Sequence, residues 1–312
     1  MSRGTLIRVA VTLLAGILLW LAGRALWQQW HALQSQPVAW GIVPWALAVA
    51  VAATACTYAV LIDSWRRVLA GYDHALRFRT AASIWILSNF GKYLPGSLWI
   101  VAGMAVMAKG EGVRATAAIT SAAIMQALAL VSGVAIGAFA PGALAALPLW
   151  ALWAAAWVGL ASVAGLLFLL SPRALAFLQG MLPAAAPRLE PIRPSAMGIA
   201  LLGNLVAWLG YGVAIHFLAA GLFGGVTLPI ATAAGAFAVA YLAGLLAVPV
   251  PGGIGVRETI FSVLLAPYIG IRSAVALAVA SRLLMTLIEL GLALPAALAR
   301  RGDPQPPRTT GP

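Results

Sequence analysis

Ionisable side chains stand inside three long apolar stretches of this chain, and their types limit the chemistry open to it. Lys92, in "SNFGKYLPGSLW" (residues 88–99), is the single charge between Ala81 and Ala108. Glu258 closes "VPVPGGIGVRE" (residues 248–258), which interrupts a second apolar run at 228–269. Arg282 and Glu289 lie in a third stretch, two helical turns apart on one face, and that face is expected to line the interior of a bundle. A lysine or arginine at mid-membrane costs about 2.5–3.5 kcal/mol on insertion scales, so each such group must face protein, water or a ligand of opposite sign. The chemistry within reach is the holding of an anion by buried cations, with carboxylates as counter-ions or proton carriers.

The breaks matter as much as the charges. Pro95 removes a backbone donor, and Gly91 and Gly96 permit a turn, which leaves amides and carbonyls that lipid cannot satisfy. Such backbone must line a protein cavity. A helix restarting after Pro95, with Ser97 as its cap, presents a positive N-terminal end near mid-membrane, and a second restarting after Gly253 does so from the other side. Two such ends facing one cavity make a site for an anion. Two accounts of Lys92 compete: it adds a full charge to that site, or it lies at a hairpin tip and snorkels. The first is preferred, because the nearest acids in sequence, Asp73 and Glu111, fall in loops and leave a lipid phosphate as the expected partner. Glu258 is either half of a structural ion pair or a coupling carboxylate, and Arg282 is its expected partner. Arg257 points elsewhere on its helix and is expected to reach the outer interface.

The elements that position these groups follow from composition. With 63% hydrophobic residues and 8% charged, and a mean hydropathy of +0.99, the chain is an all-α polytopic membrane protein. Six apolar segments are long enough to span, at about 5–26, 44–62, 115–140, 148–170, 196–219 and 272–298. The first is read as a span rather than a cleaved signal, because it has full spanning length. The formal net charge of +12 reflects Lys and Arg in cytoplasmic loops rather than nucleic-acid binding. Cys56 is the one cysteine, so no intrachain disulfide forms.

Charge sets the expected topology. Arg3 and Arg8 place the N-terminus inside, and Arg66, Arg67, Arg77 and Arg79 do the same for the loop before residue 80. If residues 81–108 crossed the membrane, Lys109, Arg114, Arg173, Arg188 and Arg193 would fall outside. A re-entrant hairpin turning at "KYLPG" keeps all of them inside, and a second, oppositely oriented hairpin at 228–269 leaves Arg300 and Arg301 inside. The reading is therefore about six spanning helices plus two re-entrant hairpins in an inverted repeat, units 44–140 and 196–298, within one domain at 1–298. A Pro-rich cytoplasmic linker, 171–195, joins the units and carries a short amphipathic stretch, "RALAFLQGML". Residues 299–312 form a disordered cytoplasmic tail.

Other features call for less. Asn204, Trp208 and Tyr211 fall at helical spacing and read as a packing seam, with a headgroup track as the alternative. His31, His74 and His216 are scattered, so no metal is expected, and His216 reads as a satisfied interior histidine. The twelve tryptophans read mostly as interfacial anchors.

"NFGKYLPGSLW", then "PVPGGIGVRE" and Arg282 in the last helix, together resemble the flippase-like membrane domain of bacterial lysylphosphatidylglycerol synthases. The likeness runs from the second span to residue 298. It implies that Asn89, Lys92, Pro95, Gly96, Pro251, Gly252, Gly255, Glu258 and Arg282 sit at the family's recurrent positions, and Ser97 and Gly253 complete the expected substrate site. Met104 stands where relatives often have arginine, and Gln126 where a glutamate often follows. No soluble synthase domain follows, so only lipid movement is implied.

The expected function is a lipid flippase of the bacterial inner membrane, with no cofactor, for an anionic phospholipid or a polyprenyl-phosphate-linked glycolipid. No Walker A loop supports ATP use. The rivals are a membrane glycosyltransferase and an accessory subunit. The enzyme is disfavoured because only seven carboxylates are present and no two cluster in an external loop. Oligomeric state is left open, a homo-oligomer included.

Overall fold

The computed structural model describes residues 38–93, 98–138, 193–246 and 253–302, with isolated helical positions between 149 and 164. The expected span at 5–26, most of that at 148–170, most of the 171–195 linker and the tail beyond 302 lie outside the described residues, as do Pro95, Gly96, Ser97, Pro251 and Gly252. The described elements are α1 (Pro44–Ala70), α2 (Phe78–Asn89), a 3-10 turn (Phe90–Tyr93), α3 (Leu98–Lys109) and α4 (Ala115–Ala138), followed by α5 (Pro194–Leu222), α6 (Ile230–Leu246), α7 (Val256–Ile269) and α8 (Ile271–Gly302).

Length separates these helices into two kinds. α1, α4, α5 and α8 are long and apolar enough to cross a membrane. α2 and α3 have 12 residues each, about 18 Å at 1.5 Å per residue, against a hydrocarbon core of about 30 Å. α6 and α7, with 17 and 14 residues, are also interrupted. The apolar runs at 80–108 and 228–269 are thus each divided into two helices.

In both pairs the second helix folds back on the first. Gly103 of α3 stands against Ser88 of α2, and the backbone at Trp99 and Ile100 crowds Gly91. In the other pair Gly253 lies against Gly244, close enough that a Cβ on Gly253 would sit 2.5 Å from the Gly244 Cα. Gly253 also has φ +62, so both space and backbone conformation demand glycine there. Each pair packs on the last helix of the other half: α2 against α8, and α6 against α4.

α1 and α5 form the antiparallel centre of the bundle. At one end Gly41 and Val43 donate backbone hydrogen bonds to Leu222 and Gly221. Between the ends Gly210 faces Thr57 and Gly203 faces Ser64, small residues that let two helices approach where lipid supplies no hydrophobic drive. One apolar core lies mainly among α5–α8, and the other among α1–α4 with the start of α5.

At the opposite end the basic loops gather. Arg114 donates to the His74 ring (3.0 Å) and to the Tyr72 carbonyl (3.1 Å), and Arg193 pairs with Asp73 (3.0 Å). The two ends of the α2–α3 pair, next to His74 and Arg114, therefore lie on one side of the bundle.

α1 continues to Ala70, beyond the expected end at 62. The sequence "DSWRRVLA" is itself amphipathic: Trp65, Val68 and Leu69 are buried, while Asp63 accepts from Arg66 and Arg67 on the other side. Trp65 and Trp208 are core residues rather than interfacial anchors, their indoles donating to Ser121 (3.1 Å) and Ser132 (2.9 Å).

The seam between α5 and α6 tolerates no added methyl. A Cβ at Gly212 would lie 2.6 Å from the Ala234 Cβ and 2.7 Å from the Ile230 carbonyl oxygen, whereas one at Gly198 would meet nothing within 4 Å. Gly212→Ala is expected to cost about 1–3 kcal/mol through overpacking, and Gly198→Ala to be neutral or stabilising by up to about 1 kcal/mol. Thermal unfolding in detergent distinguishes them; equal melting temperatures would show that the α5–α6 contact is looser than this.

Candidate functional site

α8 carries the site. Arg282, Met285 and Glu289 share one of its faces, and each meets a group delivered by one of the two broken helices. Lys92, on the 3-10 turn that ends α2, extends its Nζ to both oxygens of Glu289, at 2.5 and 2.6 Å. Tyr58 of α1 donates its hydroxyl to the same carboxylate at 3.0 Å, and the Asn89 amide approaches it at 3.5 Å. The Glu289 side chain is 3% exposed. A carboxylate this deep is stable only with such donors around it.

This corrects the expectation that Lys92 lacks a carboxylate partner. Asp73 and Glu111 are the acids nearest in sequence, but α2 packs on α8, which brings Glu289 to the lysine from 197 residues away. Glu289 was absent from the expected site. Its seven-residue spacing from Arg282 placed it on the interior face, but nothing in the sequence said which cation it meets.

The second pair has the opposite polarity. Glu258, in the first turn of α7, accepts from Arg282 through one oxygen and from the backbone N–H of Gly255 through the other, the latter at 2.6 Å. The carboxylate thus caps α7 and fastens it to α8 together. Helix α7 begins at Val256, with Gly255 at φ 87 before it, a conformation that favours glycine. Both side chains of the pair are 11% exposed.

Arg257 also departs from expectation. It turns inward, its guanidinium 4.6 Å from the centre of the Phe237 ring and 5.8 Å from that of Tyr241, and it donates to Met285 Sδ at 3.4 Å. The side chain passes Gly244, where a Cβ would be 3.2 Å from that of Arg257. No sequence signal pointed to this course, which depends on how α6 and α7 fold together.

Aromatic rings fill the space between the pairs. Tyr211 packs on Phe237 at 4.7 Å and approaches Tyr58 at 6.4 Å, and Tyr58 meets Trp85 at 5.4 Å. The stripe Asn204, Trp208 and Tyr211 is therefore a packing seam. Asn204 is buried and donates to the Ala200 carbonyl, and His216 bonds the Leu228 carbonyl. Met104 is buried in the core of the first half. Among the described residues no three His, Cys, Asp or Glu side chains stand close enough to hold a metal ion.

These features define a multi-pass helical membrane protein whose broken helices bring charged side chains together in an apolar interior. The chain belongs to the family described as the lysylphosphatidylglycerol synthase TM region, which matches residues 6–293. No curated protein matches it.

Removing one member of a buried pair leaves an uncompensated charge, which generally costs about 3–5 kcal/mol. Lys92→Met is therefore expected to destabilise the protein through Glu289, and Lys92→Met/Glu289→Met to recover much of the loss. A double-mutant cycle from unfolding in detergent measures this; additive losses would mean that the two side chains do not interact.

Proposed function

We propose that this protein moves a lipid with an anionic headgroup, a phospholipid or a polyprenyl-phosphate-linked glycolipid, between the leaflets of a bacterial cytoplasmic membrane. The observation that carries the proposal is that both helix breaks are fastened to α8 by ion pairs of opposite polarity, the carboxylate of each lying in the interior. Charges at that depth are costly and mark substrate pathways in membrane proteins. Membership of a family named for a lipid synthase's membrane region supports a lipid as the class of substrate.

In this scheme the two broken segments are re-entrant hairpins, entering from opposite faces, and the halves 44–140 and 196–298 form an inverted repeat. Two contacts support it. His74 and Arg114, which flank the first segment, touch each other, and the packing of α2 on α8 mirrors that of α6 on α4. The basic ends gathered there face the cytoplasm, as the accumulation of Lys and Arg in cytoplasmic loops requires. A headgroup crosses by exchanging contacts with the two ion pairs, so that neither charge is bare in hydrocarbon while a hairpin shifts. No covalent bond is made or broken.

Transport in reconstituted vesicles tests the function. The purified protein is expected to carry a fluorescent short-chain phosphatidylglycerol between leaflets several-fold faster than protein-free vesicles do. Glu258→Gln/Arg282→Gln deletes both charges together, strands neither, and is expected to fold yet move little lipid. Wild-type rates from this variant would remove the ion pair from the mechanism.

Sidedness tests the topology. With Cys56 replaced by Ser, cysteines at exposed Arg77 and Lys109, at either end of the first hairpin, are expected to share one side. Both should resist an impermeant reagent in intact cells and react in inverted vesicles. Opposite labelling of the two would make residues 78–109 a true crossing.

A further inference from the structure

We propose that Arg257 binds the anion in this protein, its guanidinium taking the phosphodiester of a lipid headgroup between the two ion pairs of α8. The inference deepens the transport reading and rests on it for the lipid.

Along the face of α8, Arg282 is held by Glu258 and Glu289 by Lys92, while Arg257 reaches Met285 between them. Among the described residues, three cations therefore share this interior face with two carboxylates. A phosphodiester carries one negative charge at neutral pH and would balance the remaining one.

Among the described residues no carboxylate pairs with Arg257. Asp63 is held by Arg66 and Arg67, Asp73 by Arg193, and Glu258 and Glu289 by the partners above. Glu111 is exposed at the far end of α3. A guanidinium presents five N–H donors in a planar fork. A thioether sulfur is a weak acceptor, and the rings of Phe237 and Tyr241 stabilise charge without accepting a conventional hydrogen bond. An arginine kept at this depth without a carboxylate in salt-bridge contact is among the costliest residues to insert.

Position favours an anion as well. Arg257 lies in the first turn of α7, whose positive end Glu258 meets at one backbone N–H, leaving the other first-turn N–H groups without intrahelical acceptors. The arginine fork matches two oxygens of a phosphate. A phosphate at Lys92 or Arg282 would first have to displace a carboxylate and strand it; at Arg257 it displaces only a sulfur contact.

Binding in detergent to fluorescent short-chain phosphatidylglycerol, with fluorescent diacylglycerol as the phosphate-free probe, tests the site. Arg257→Gln is expected to weaken phosphatidylglycerol binding about tenfold or more, as loss of a charge-assisted hydrogen bond does. Diacylglycerol binding should be unchanged. Arg257→Lys should fall between, because an ammonium is a point charge. The melting temperature of Arg257→Gln should fall by less than that of Arg282→Gln, since only ring and sulfur contacts are lost and no carboxylate is stranded. A drop as large as that of Arg282→Gln would make Arg257 structural and overturn the proposal, as would wild-type phosphatidylglycerol affinity in folded Arg257→Gln. Displacement of the lipid by millimolar inorganic phosphate would overturn the lipid assignment. Arg257-dependent binding in a protein that moves no lipid would support the site and overturn the transport reading. Wild-type transport by Arg257→Gln would overturn the site and leave transport standing.

Discussion

A charge in hydrocarbon must find a partner or be excluded, and α8 holds two of opposite sign on one face, Arg282 and Glu289. Everything around α8 answers that constraint. The first broken segment supplies Lys92 and Asn89, the second supplies Glu258, and α1 supplies the Tyr58 hydroxyl. Since each break docks through its own pair, the polarity of α8 also prevents the two from trading places: a carboxylate cannot dock on Glu289, nor a lysine on Arg282.

The backbone breaks and the charges explain each other. A helix interrupted inside the membrane exposes N–H groups that lipid cannot satisfy. Glu258 meets one of them with the oxygen that Arg282 leaves free. The same carboxylate thus serves helix termination and tertiary docking, and its loss would disturb both. Gly253 and Gly244 bring α6 and α7 close enough for Arg257 to lie across the rings of α6 and reach α8.

Around this centre the apolar packing is graded. α1 and α5 interlock through glycine, serine and threonine, a contact made close by the absence of side chains. The aromatic group of Tyr58, Trp85, Tyr211 and Phe237 fills the wider space between the halves. Rings tolerate both an apolar neighbour and a cation against the π face, which suits a region lying between Glu289 and Arg257.

The sequence by itself determined the solvent, the positions of the broken helices and the inward direction of Arg282 and Glu289. Each of these follows from local quantities: hydropathy over a spanning length, Pro and Gly against a helical run, and a seven-residue spacing on one face. The same local logic proposed Glu258 and Arg282 as partners, because few charges compete inside the second half. It failed for Lys92 and Arg257. Which carboxylate meets Lys92 depends on α2 packing against α8, a contact between residues 197 apart. The course of Arg257 depends on the register of α6 against α7, set by backbone contact at Gly244 and Gly253. Helix neighbourhood and register arise from packing across the whole bundle, so only the tertiary structure decided which charges were paired and which cation lay against rings and sulfur instead.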